Sequence, residues 1–211
     1  MPDKGKELLE GAYALATPDD NISYYREFAD HYDDHFVKEL GYNLPHVVAK
    51  AFLRTGSPSD TPIADLGCGT GIVAQCLPKE FTIDGLDISP DMLAVAGAKK
   101  RYRDLYQTDI TQGVSTLPNN YGAVLSSGTF THGHLGPGAL KTSLGLGKAG
   151  CLFVLSINKA HYSSHGFENL LDTLSATDAI SDLLLEEAPI YTEHGHDHSG
   201  DIALICSFRL C

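Results

Sequence analysis

The 211-residue chain is 43% hydrophobic and 20% charged, its formal net charge is −12, and no apolar run approaches the roughly 18 residues needed to cross a bilayer. Acidity of that size argues against nucleic acid and against an anionic membrane surface as partners, because both need clustered Lys and Arg. What is left is one globular domain acting on a small-molecule substrate, as a monomer or homodimer.

The N-terminal stretch MPDKGKELLEGAYALATPDD has no continuous apolar segment of signal-peptide type, so a cytoplasmic location is expected. Cys68, Cys76, Cys151, Cys206 and Cys211 are odd in number and scattered without a C-x-x-C, which favours reduced thiols over a disulfide framework or structural zinc. The short basic cluster Lys99, Lys100, Arg101 and Arg103 reads as a solvated helix end.

In chain order, the first predicted helix covers Lys4–Ala16. Thr17 then offers an N-cap with Pro18 at the first helical position, opening a helix over Pro18–Val37, and a third covers Leu44–Thr55. Spacings of three, four and seven put Tyr25, Phe28, Ala29 and Tyr32 on one helical face. That face either packs on the sheet or closes as a lid, with Tyr32, Tyr24 and Tyr25 placed to reach a bound ligand. Residues 1–58 are thus expected to form a helical lid region and residues 59–211 the core of a single domain.

From Pro62 the pattern becomes strand and helix in turn: IADLG, FTIDGLD, LYQTDI, YGAVLSS and GCLFVLSIN as strands, with GIVAQCLP and Asp91–Arg101 as helices between the first three. A helix over Gly166–Ala176 follows, then strand candidates Ala188–His194 and Asp201–Arg209. Strands separated by helices pair in parallel, and two joined without one form an antiparallel hairpin. The prediction is an α/β, doubly wound, seven-stranded mixed sheet, mainly parallel with an antiparallel C-terminal hairpin, plus the helical lid.

The first strand runs through Asp65-Leu66-Gly67-Cys68-Gly69-Thr70-Gly71 straight into a helix. Glycines there allow a tight turn and close approach of a ligand to unpaired helix N–H groups. Ile72 fills the position where a dinucleotide loop needs a small residue, and a carboxylate at Asp65 suits the ammonium of an amino-acid cofactor better than a pyrophosphate. Asp87 ends the second strand, where it can accept from ribose hydroxyls. Asp109 ends the third, beside Ile88, Met92 and Ile110, which can cover the faces of an adenine. Each aspartate alone reads equally as a turn or cap residue; the set in register reads as a rim across the carboxyl edge of the sheet.

The segments IADLGCGTGI, GLDISPDML and QTDI resemble, in order over about residues 62–158, the signatures of class I S-adenosylmethionine-dependent methyltransferases, a Rossmann-like family. The resemblance implies S-adenosyl-L-methionine as cofactor: Asp65 and Gly67, Cys68, Gly69, Thr70 and Gly71 on the methionine half, Asp87 on the ribose, Asp109 with Ile110 on the adenine, and Tyr32, Ile88, Met92 and Ser126 around it. AYALATPDDNISYYREFADHYDDHF and GTFTHGHLGPGAL look like the branch of the Williams–Beuren-region methyltransferase-like proteins and their bacterial relatives. Catechol-type, metal-dependent members place carboxylates near the end of the fourth strand, where this chain has Ser126-Ser127-Gly128, so no metal is expected.

GTFTHGHLGPG, residues 128–138, follows that fourth strand. In an extended segment His132 and His134 face one side and line the acceptor pocket together, and an imidazole that titrates near neutrality suits deprotonation of an acceptor. Both are candidate catalytic and substrate residues, with a structural turn as the alternative. Tyr24, Tyr25 and Asn158 complete the substrate-side set, Asn158 reading equally as a strand-ending turn. The tract His194-Gly195-His196-Asp197-His198 reads as a polar hairpin loop, with a weak adventitious nickel or zinc site as the alternative. The expected function is methyl transfer to an N, O or S nucleophile of a small molecule, mainly by proximity and orientation. The alternatives are a cofactor-binding regulatory protein without catalysis and a nicotinamide oxidoreductase, the latter opposed by Ile72 and Asp65.

Overall fold

The computed structural model describes residues 9–11, 17–194 and 196–211. Its centre is a seven-stranded sheet of β1 (Ile63–Leu66), β2 (Ile83–Asp87), β3 (Leu105–Gln107), β4 (Tyr121–Phe130), β5 (Gly147–Asn158), β6 (Ile180–Pro189) and β7 (Ile202–Leu210), in the spatial order β3-β2-β1-β4-β5-β7-β6. The first five strands run parallel and β7 lies antiparallel between β5 and β6. The mixed sheet with an antiparallel C-terminal pair is the predicted one.

Alternate residues of each strand feed opposite cores. Ile63, Ile83, Leu125, Val154 and Ile205 pack towards Val48 and Phe52 of α2 (Leu44–Thr55) and Val73 of α3 (Ile72–Cys76). Ala64, Leu66, Leu86, Phe153 and Phe208 pack on the other face with Leu140 of α5 (Pro137–Ser143) and Leu171 of α7 (Phe167–Ala176). A strand side chain every second residue on each face is what puts both cores on one sheet. The remaining helices are α1 (Pro18–Phe28), α4 (Pro90–Ala98) and α6 (Lys159–His165).

The predicted helix over Lys4–Ala16 lies largely outside the described residues, of which 9–11 are helical. Thr17 caps α1 as read: its Oγ1 accepts from Asp20 N at 3.1 Å and Asp20 Oδ2 accepts from Thr17 N at 3.0 Å. The predicted Pro18–Val37 helix is not uniform, because α1 gives way to a 3₁₀ turn at Ala29–His31 and a wide π-helical segment at Tyr32–Lys38. Two helices were not foreseen. Pro137–Ser143 hides behind Gly136 and Gly138, and Lys159–His165 (KAHYSSH) has no apolar stripe.

The first hairpin strand lies upstream of its expected position at Ala188–His194. It is the sheet's edge, with Leu184 and Leu185 43% and 38% exposed, and a register shift between Ser181 and Leu184 breaks its alternation. A two-residue period therefore fails to mark it. The basic cluster is also mostly engaged rather than free: Lys99 pairs with Asp33, Arg101 donates to the carbonyls of Pro78 and Phe81, and Arg103 grips buried Asp84 through both carboxylate oxygens.

Candidate active site

The sheet order reverses between β1 and β4, and a cavity opens at the carboxyl ends of the strands on that line. β1 delivers the glycine loop to its edge. Gly67 and Cys68 N–H groups donate to Leu86 O at 2.8 and 3.1 Å, and Gly67, Gly69 and Gly71 take left-handed φ values of 66°, 51° and 88°. A Cβ at Gly67 would collide with Thr129 Oγ1, whereas one at Gly69 would meet no atom within 4 Å. The loop is braced on its inner side and open towards the cavity.

Three aspartates stand at this edge in different states. Asp65, at the end of β1, is 1% exposed; Oδ2 accepts from Tyr102 OH at 2.6 Å and Oδ1 has no partner among the described residues. Burial pushes its carboxyl up to about 7, opposed by the Tyr102 hydrogen bond and reinforced by Asp87. Asp87 lines the cavity with its oxygens held by the N–H groups of Gly69 and Ser89 at 2.8 and 2.9 Å; burial raises its pKa against those bonds. Asp109 also lines the cavity and at the same time caps a 3₁₀ turn, Oδ1 accepting from Thr111 N and Oγ1 at 2.9 and 2.7 Å. Ile88, Met92 and Ile110 supply apolar wall between Asp87 and Asp109.

The far wall is aromatic. Tyr25 and Tyr32 from the N-terminal helical region reach the cavity, joined by Tyr42 and His134. His134 Nδ1 donates to the carbonyl of His132 at 3.0 Å, so Nε2 carries the lone pair and takes the Tyr25 hydroxyl at 3.3 Å. Burial lowers the His134 pKa, which keeps the ring neutral. Burial also raises Tyr25 and Tyr32, and lifts Tyr42 to about 12, so these are neutral hydroxyls and not bases.

Behind them a second, inner cavity touches Tyr25, Tyr32, Tyr42 and His134 and runs on to Phe36, Phe130, His132, Ser156, Asn158 and Tyr191.

Several expected site residues stand elsewhere. Gly133, at φ 75°, breaks the extended run, so His134 reaches the main cavity while His132 lines only the inner one and stacks edge-on against His161. Thr70 donates to Asp33 Oδ1 at 2.6 Å and Lys99 Nζ to Asp33 Oδ2 at 2.5 Å, which latches the helical region onto the glycine loop and the end of α4. Ser126 is buried and donates to Leu66 O, Cys68 is buried behind the loop, and Gly71 caps α3. Tyr24 packs against Phe28 and Tyr25. Asn158 Oδ1 caps α6 by accepting from Ala160 and His161 N–H at 3.0 and 3.1 Å, the turn role, while still bordering the inner cavity. In the second histidine tract His198 bonds Asp201 and His196 rests on Tyr191.

Tyr42, Thr108, Ser127, Gly128, Thr129 and Leu135 line the main cavity and were not foreseen. β4 runs three residues past the predicted YGAVLSS to Phe130, carrying Ser127 to Thr129 to the edge, and Thr108 sits beside Asp109 in QTDI; both were within reach of the pattern. Tyr42 had no local signal, because its bridge to Tyr191, far along the chain, helps to fix it over the site.

Residues 63–144 match a family described as a methyltransferase domain. Over 101 residues the chain is 33% identical to a dTDP-3-amino-3,6-dideoxy-alpha-D-glucopyranose N,N-dimethyltransferase of Streptomyces fradiae, which covers 47% of this chain and 40% of that protein. Over 134 residues it is 31% identical to methyltransferase-like protein 27 of Homo sapiens, covering 60% of this chain and 54% of that one. The chain thus spans about half the length of these relatives. Among solved structures, magnesium protoporphyrin IX methyltransferase from Synechocystis PCC 6803, determined with bound SAM, superposes with a TM-score of 0.65 over 93% of this chain and 98% of its own at 16% identity, a likeness of fold. The sheet order and the loop that β1 carries to its edge agree with that domain match, which covers residues 63–144.

Proposed function

We propose that the protein transfers a methyl group from S-adenosylmethionine to an N, O or S nucleophile of a small molecule, chiefly by holding the two in line. The observation that carries this is one continuous cavity with a carboxylate rim at Asp87 and Asp109 and a neutral imidazole, His134, on the wall across from it. The residues present fit the cofactor. Among the described residues Asp65 keeps a buried oxygen without a partner and Gly69 leaves open space beside a left-handed backbone, and Asp87 is held by two backbone donors and has lone pairs left for hydroxyls.

When bound, S-adenosylmethionine supplies a sulfonium methyl that is already electrophilic, so the chain has to bind, orient and exclude water. Asp65 would offset the cofactor ammonium, Asp87 would hold the ribose, and Asp109 with Ile88, Met92 and Ile110 would enclose the adenine. The latch from Asp33 to Thr70 and Lys99 keeps Tyr25 and Tyr32 over the cavity. His134 Nε2, which accepts from the Tyr25 hydroxyl, is the basic atom on this wall, and with Tyr25 displaced it would take the acceptor's proton where the nucleophile carries one. The aromatic inner cavity, with Ser156 and His132 as polar groups, favours a small, partly apolar acceptor.

The domain organisation is read in the same way: residues 1–58 as a lid region over a core of residues 59–211 in one domain. The methyltransferase-like branch is supported by the segments AYALATPDDNISYYREFADHYDDHF and GTFTHGHLGPGAL.

The test is incubation with methyl-labelled cofactor and a panel of amines, phenols and thiols. Transfer to one class, lost in Asp87→Ala, is expected. Tight cofactor binding with no transfer to any acceptor in the panel or in a metabolite extract would favour a regulatory binder instead.

A further inference from the structure

His132, His161 and His165 form a cluster that the methyl-transfer reading does not use. One ring nitrogen of each lies within 4.8 Å of the others. The ring centroids are 4.1 Å apart for His161 and His165 and 5.0 Å for His132 and His161. His161 and His165 stand one turn apart on α6, and His132 comes from the loop after β4. The parallel register of β4 on β5, Phe130 beside Ile157, brings the two together across a long stretch of sequence.

The hydrogen bonds around the cluster select nitrogen lone pairs. His161 is 5% exposed, and its Nε2 sits 3.1 Å from the carbonyl of Leu135, an acceptor only, so that nitrogen carries the proton and Nδ1 has the lone pair. That Nδ1 is buried and has no partner among the described residues. Ser164 Oγ spends its proton on Ala160 O at 2.8 Å and therefore accepts from His165 Nδ1 at 2.7 Å, leaving Nε2 of His165 free to ligate. A metal-bound imidazole whose other nitrogen donates to a carbonyl or hydroxyl is the usual outer-sphere arrangement.

We infer that His132, His161 and His165 bind one divalent transition-metal ion, zinc in first place, at the side of the inner cavity. Three imidazoles without a carboxylate suit zinc, nickel or copper and not magnesium or calcium. Imidazole nitrogens on a tetrahedral zinc stand about 3.4 Å apart, so closure takes side-chain shifts of about an ångström. Exposed His165 gives the ion an entry path. A three-histidine set leaves a fourth position open, as in sites where the ion polarises a ligand, and His132 puts that position next to the acceptor side. This runs against the expectation of no metal drawn from Ser126-Ser127-Gly128. It does not depend on the methyl-transfer reading.

The experiment titrates chelator-stripped full-length protein with zinc(II) by calorimetry and with cobalt(II) by visible absorption, whose d–d bands report the coordination number. One equivalent is expected to bind, with four-coordinate cobalt bands. His132→Ala and His165→Ala should each weaken binding at least tenfold. His165 is exposed, so its replacement keeps the fold, which circular dichroism checks. His198→Ala, and Cys76→Ser beside His46, should leave the affinity unchanged. Failure of the wild type to bind one equivalent, or equal affinity in His165→Ala with an intact fold, overturns the site.

Discussion

Asp65 is where stability and ligand recognition oppose each other. Its carboxyl titrates at about 7 in the folded protein, against an unfolded value of roughly 3.9. The folded state therefore holds a proton that the unfolded state has released, and stability falls as pH rises from about 4 through about 7. Asp65→Asn keeps an acceptor for Tyr102 and removes this loss: its thermal midpoint should match the wild type near pH 4 and exceed it at pH 8. Cofactor binding carries the opposite sign. An ammonium favours the ionised carboxyl, so affinity for S-adenosylhomocysteine should fall by up to about tenfold per pH unit below 7 in the wild type and lose that slope in Asp65→Asn. A flat wild-type affinity profile between pH 5.5 and 8 would detach Asp65 from the ligand.

His134 and Gly128 make simpler cases. His134→Ala should lower kcat by about 10²–10⁴ for an acceptor that must lose a proton, with S-adenosylhomocysteine affinity within twofold of wild type. An equal rate would make the imidazole a wall residue. Gly128 has φ 75° and a Cβ there would strike the Tyr42 hydroxyl, so Gly128→Ala should cost about 1–3 kcal/mol in chemical denaturation.

At the scale of elements, the helical region earns its position from Asp33 and not from the α1 cap alone. Bonds from Thr70 and Lys99 hold it to the loop that carries Gly69 and to the C-terminal end of α4. Asp33→Ala removes both and should cost about 1 kcal/mol of stability, yet speed S-adenosylhomocysteine dissociation several-fold in stopped-flow, because Tyr25 and Tyr32 ride on the same segment. Asp84 serves a different purpose. Wholly buried on β2, it is satisfied by Arg103, Tyr121 and the Asp104 N–H, and its replacement by alanine should cost about 2 kcal/mol without touching ligand affinity.

Across the whole molecule, legibility in the sequence followed locality. The strands β1, β2 and β4 and the acidic rim were readable because Ile63–Leu66, Ile83–Asp87 and Tyr121–Ser126 are buried apolar runs closed by glycine, aspartate or serine. α5 and α6 were not, since Gly136, Pro137 and Gly138 imitate a loop and Ser163, Ser164 and His165 are weak helix formers held by tertiary packing. β6 lost its alternation to an edge and a bulge. His134 was found as a pocket residue, but its separation from His132 depends on the backbone turn at Gly133, and the partnership of His132 with α6 depends on the β4–β5 register. Neither is written in a short segment.

The proposed function stands or falls on whether the cavity where the sheet order reverses binds S-adenosylmethionine across the Asp87 rim. Titration calorimetry with S-adenosylhomocysteine tests it most directly: one-to-one binding in the wild type, at least a hundredfold weaker in Asp87→Ala with the fold intact, agrees with it. No binding in the wild type, or equal binding in Asp87→Ala, contradicts it.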